Sequence, residues 1–142
     1  MALEPIPTTR IRRLAAVLAL SALTSVGVSA ASLNLTLSGA DEVPAVNTAA
    51  KGSGTITVSD NGAVSGSVST TGVAGTVAHI HEGAPGKSGP VVVALTKDGD
   101  SYKVPAGAKI SDAQFASFKA GNLYVNVHSA ANPKGELRAQ LK

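Results

Sequence analysis

Leu123-Tyr124-Val125-Asn126-Val127-His128 alternates apolar and polar residues without a break. A period of two marks a strand with one buried face, because successive side chains point to opposite sides. Val125 and Val127 then face a core, and Tyr124, Asn126 and His128 face outward. Ala78-His79-Ile80-His81-Glu82-Gly83 reads the same way, with Ile80 inward and His79 and His81 together on the outer face. These two motifs hold all three histidines of the chain.

The surrounding sequence is a run of short strands separated by glycine-rich turns. Leu33, Leu35 and Leu37 alternate with Asn34, Thr36 and Ser38, and Gly39 to Pro44 is an irregular connector. Gly54–Ser59 and Ala63–Thr70 flank Asp60-Asn61-Gly62, a hairpin signal. Gly75–His81 is the strand of the His pair. Val91–Thr96 is a nearly continuous apolar run, which suits a strand buried on both faces or at a sheet junction. Asn132-Pro133-Lys134-Gly135 turns the chain into a last strand, Glu136–Leu141, with Glu136, Arg138 and Gln140 outward. One segment departs from this pattern. Ser111 and Gln114 form a capping box, Phe115 and Phe118 follow, and Gly121 closes a short helix over 112–120. The expected fold is all-β, an antiparallel Greek-key β-sandwich with that one helix at an end of the core. Leu35, Ile56, Val68, Ile80, Val92, Leu95, Phe115, Val125, Val127 and Leu137 are the expected core.

Residues 1–30 read as a secretory signal peptide. Arg10, Arg12 and Arg13 form a basic start, Leu14 to Val28 an apolar stretch, and Val28-Ser29-Ala30 a small-residue cleavage pattern. The mature domain would be 31–142, secreted or periplasmic, with no membrane association after cleavage. Removing Arg10, Arg12, Arg13 and Glu4 from the twelve Lys/Arg and nine Asp/Glu leaves nine against eight. That balance, with two Phe and two Tyr, gives no footprint for nucleic acid. The absence of cysteine removes thiolate chemistry and disulfides, so an exported domain must rest on its core, with a metal as the one further staple open to it.

Three motifs together resemble a known family. Leu37-Ser38-Gly39-Ala40-Asp41-Glu42-Val43-Pro44 is similar to the first signature of CHRD domains, the modules named after chordin. Ala78-His79-Ile80-His81 with Gly89-Pro90-Val91-Val92 resembles the second. Gly121 to His128, Asn132-Pro133 and Gly135-Glu136-Leu137-Arg138 resemble the third. Ala45 and Ala139 depart from the pattern, where a second proline and a glycine are common. The resemblance implies an extracellular module with no settled activity. The His-x-His strand and a third histidine on a later strand also resemble the copper site of superoxide dismutase. No histidine is left to bridge to a zinc, and no cysteine to form a disulfide.

His79, His81 and His128 are therefore candidate ligands for one transition metal ion, provided the strand of Val127 neighbours that of Ile80. Imidazole suits copper and zinc, and without nearby sulfur ligands Cu(II) or Zn(II) fits better than Cu(I). Glu82 alternates away from His81 and is a poor ligand. Asn126, Glu136 and Arg138 form the expected rim. No residue reads as catalytic, since no Ser/His/Asp ordering is present. The alternatives are an extracellular protein-interaction module without metal, using the same face or the loop Gly83–Gly89, and a copper-only redox protein.

Overall fold

In the computed structural model, which describes residues 27–142, two antiparallel sheets pack face to face. The signal-peptide reading falls on residues 1–30, of which 1–26 lie outside the described residues. The elements are β1 (Ala30–Leu37), β2 (Lys51–Ser59), β3 (Val64–Thr71), β4 (Gly75–Glu82), β5 (Val91–Ala94), β6 (Thr96–Asp98), β7 (Ser101–Lys103), α1 (Asp112–Lys119), β8 (Leu123–Ser129) and β9 (Leu137–Gln140). One sheet has the order β1-β2-β3-β7-β6 and the other β5-β4-β8-β9. The pairings β3–β7 and β4–β8 join strands that are not consecutive, as a Greek-key path requires.

The Asp60-Asn61-Gly62 hairpin forms as read. Gly62 has φ of 81°, and a Cβ there would press on the Ile110 carbonyl, so this turn needs glycine. The capping box of α1 is complete: Gln114 N–H donates to Ser111 Oγ at 3.2 Å and Ser111 N–H to Gln114 Oε1 at 2.9 Å. The short pair β6 and β7 around Gly99 was not expected from the sequence, because neither strand carries an apolar alternation.

Leu35, Leu37, Ile56, Val58, Val68 and Tyr102 from one sheet meet Ile80, Val125, Val127 and Leu137 from the other. Two expected core residues, Val92 and Phe115, are only partly buried against this cluster. Val93 lies opposite Ile80, and a bulge between Ile80 and His81 then skips Val92 and puts Val91 opposite His81. Val91 is 52% exposed, so the run is not buried on both faces; it lies at a sheet junction, where the edge strand β5 of one sheet passes into β6 of the other. Phe115 and Phe118 rest against one end of the core from a helix that has no fully buried residue. Among the described residues no helix is long and apolar enough to cross a membrane.

Candidate metal centre

The β4–β8 pairing places His79 opposite Asn126 and His81 opposite Tyr124. The β8–β9 pairing extends these rows to Arg138 and Gln140. The premise of a three-histidine site, that the strands of Ile80 and Val127 are neighbours, therefore holds. His79, His81 and His128 each offer a ligand atom within 4.8 Å of the others. An ion bound at about 2.0–2.1 Å to each nitrogen in tetrahedral geometry sets those nitrogens roughly 3.3 Å apart. The spacing of the three rings is compatible with one shared ion.

Hydrogen bonds fix the tautomers. A carbonyl can only accept, so His81 Nδ1–H donates to Gly89 O and His128 Nδ1–H to Pro133 O, each at 2.9 Å. Both Nε2 atoms then carry a lone pair. His79 Nδ1 lies 3.1 Å from His128 Nε2 and must be the donor there. His81 Nε2 is buried and has no hydrogen-bond partner. An orphaned imidazole lone pair beside two other imidazoles, with His81 and His128 held from behind by carbonyls, is compatible with metal binding. Burial lowers the pKa of both His79 and His81, and the neighbouring imidazoles add to this. A neutral ring is the form that binds metal.

The outer face is not open, as alternation alone would suggest. Tyr124 is 3% exposed, Asn126 2% and Arg138 1%. The loop from Gly83 to Pro90 folds over Tyr124 and Arg138. Arg138 donates from Nη1 to Lys87 O at 2.9 Å and from Nη2 to Ala84 O at 3.2 Å and to Gln140 Oε1 at 3.1 Å. Its guanidinium sits 3.5 Å from the Tyr124 ring centroid. The His81 ring stacks on Tyr124 with centroids 4.9 Å apart and planes 4° apart. Since β8 runs between β4 and β9, Tyr124 is held between the imidazole and the guanidinium.

Of the expected rim, Asn126 and Arg138 are at the site and Glu136 is not. The Glu136 carboxylate accepts from Thr48, Ser129 and Asn132 instead. The strand begins only at Leu137, so the outward alternation does not reach Glu136. Glu82 accepts from Ser117 of α1, clear of the histidines. The sequence reading missed Glu42, which is 7% exposed; its carboxylate meets the Asn126 amide where Gly135 passes. Only its place in the Leu37–Pro44 motif marked it.

A family model described as the CHRD domain matches residues 33–141. Comparison with curated proteins and with solved structures finds no match.

Proposed function

The chain belongs to the CHRD-domain family, and we propose that it is an exported module that binds one copper or zinc ion. The ligands are His79 Nδ1, His81 Nε2 and His128 Nε2. The observation that carries this reading is the buried, unpartnered Nε2 of His81 beside the other two rings. Binding replaces the His79–His128 hydrogen bond, with the His79 proton moving to Nε2. A fourth position stays free for water or an exogenous ligand, as in sites with three protein ligands. Redox turnover is not part of the proposal. Arg138, in the row of His79 and Asn126, donates from both terminal nitrogens to loop carbonyls and Gln140. Reconstitution of the mature protein with Cu(II) or Zn(II), followed by elemental analysis, tests the reading: about one ion per chain supports it, and none overturns it.

A further inference from the structure

Two glutamates are buried in this domain, and they are treated differently. Glu136 has both carboxylate oxygens hydrogen-bonded, to Thr48 Oγ1, Ser129 Oγ and Asn132 Nδ2. That is a carboxylate serving the fold. Glu42 receives one long hydrogen bond, from Val43 N–H to Oε2 at 3.4 Å, and its Oε1 is buried without a partner. No cation lies within ion-pair distance of it, the Lys103–Asp98 pair being the one salt bridge among the described residues. A buried unpaired carboxylate is costly and persists only for a reason.

Its surroundings supply that reason. Five buried side-chain atoms lack partners among the described residues, and three belong to one cluster: Glu42 Oε1, Asn126 Oδ1 and His81 Nε2. The segment carrying Glu42 is fixed by the paired bridge between Ser38 and Arg138, with two backbone hydrogen bonds of 3.0 Å. Gly135, at φ of 131°, leaves the space in which the carboxylate and the amide meet. A side chain there would strike both Glu42 Oε1 and Asn126 Nδ2. Asn126 in turn sits directly across from His79 and between Tyr124 and His128 on its own strand. Carboxylate and carboxamide thus meet behind the row of His79, with unsatisfied acceptors on both and on His81.

We propose that Glu42 is a positioning residue of the histidine site, supplying the negative charge that balances a bound divalent cation and orienting Asn126 beneath the ligands. This rests on the metal-binding reading above. Three neutral imidazoles bring no charge of their own, and Arg138 nearby is unfavourable for a cation. A carboxylate held one residue behind the ligands offsets both.

The test uses the mature chain with Cu(II) and Zn(II) as probes. Glu42→Gln keeps the shape and removes the charge. It should weaken both ions about 10–100-fold, the usual effect of losing a partner behind the ligands, with stoichiometry still near one. The Cu(II)/Cu(I) potential should shift positive, because a lost negative charge disfavours the more highly charged ion. A residue serving only the fold would leave that potential unmoved. Asn126→Ala should weaken binding in the same direction, and the double variant should be no worse than the weaker single one, as expected for residues acting in series. Unchanged affinity and potential in Glu42→Gln, with wild type binding one ion, overturns this inference alone. Failure of wild type to bind overturns the metal reading and this inference with it.

Discussion

His79 Nδ1 and His128 Nε2 lie 3.1 Å apart, although the residues are 49 positions apart in sequence and sit on different strands. Two imidazoles this close cannot both be charged without repulsion, which adds to the desolvation already lowering the His79 pKa.

A pH dependence follows. His79 and His81 titrate below the ordinary value of 6.5 in the folded chain. In the unfolded chain they take up protons first, so the metal-free domain has its full stability above about 6.5. That contribution is lost as pH falls through the depressed folded values. Proton competition with a bound ion sets in over the same acidic window. Denaturation midpoints and Cu(II) affinities measured from pH 8 to pH 5 should both be flat above about 6.5 and fall below it. Glu42 acts with the opposite sign. Burial raises its pKa, so its ionisation costs the metal-free fold stability as pH rises above its unfolded value of 4.5. Glu42→Gln should therefore leave the metal-free melting temperature at pH 7 unchanged or higher.

Arg138 couples the site to the loop above it. Arg138→Ala removes three hydrogen bonds and the stack on Tyr124, leaving buried acceptors unpaired. A loss of about 3 kcal/mol or more is expected in chemical denaturation. Hydrogen exchange should quicken most at Gly83 to Gly89. Arg138→Lys should not restore it, since an ammonium lacks the planar fork that reaches Lys87, Ala84 and Gln140 together.

Export can be read from the N-terminus. Mass spectrometry of protein recovered outside the cytoplasm should find a chain beginning at or within a residue or two of Ala31. Cleavage there keeps the β1–β2 register from Ala31 opposite Val58 onward. An intact Met1 on that protein would contradict the signal-peptide reading.

Strand faces, the helix and the shared face of the three histidines were legible in the sequence because they depend on local periodicity. Ile80, Val125 and Val127 point inward and the histidines outward as alternation requires. The Ser111–Gln114 capping box marks the helix start to the residue. What covers a face is not local information. Tyr124 and Arg138 are covered by a loop whose carbonyls Arg138 itself gathers, and Asn126 by Glu42 and Gly135, long-range arrangements without a periodic signal. The bulge after Ile80 moved Val91 outward by one register step. Glu42 lies beside Asn126 and Glu136 away from the histidines for a related reason. One follows an irregular turn and the other precedes its strand, and alternation says nothing about either.

The central claim is that three imidazoles from two neighbouring strands hold one ion. Its most direct test is titration of the mature protein with Cu(II) or Zn(II), beside His81→Ala, His128→Ala and the double variant. Circular dichroism on each sample should confirm that all four remain folded. The account predicts one tight equivalent for wild type, loss of tight binding in each single variant and none in the double. Equal binding by wild type and the folded double variant would contradict it.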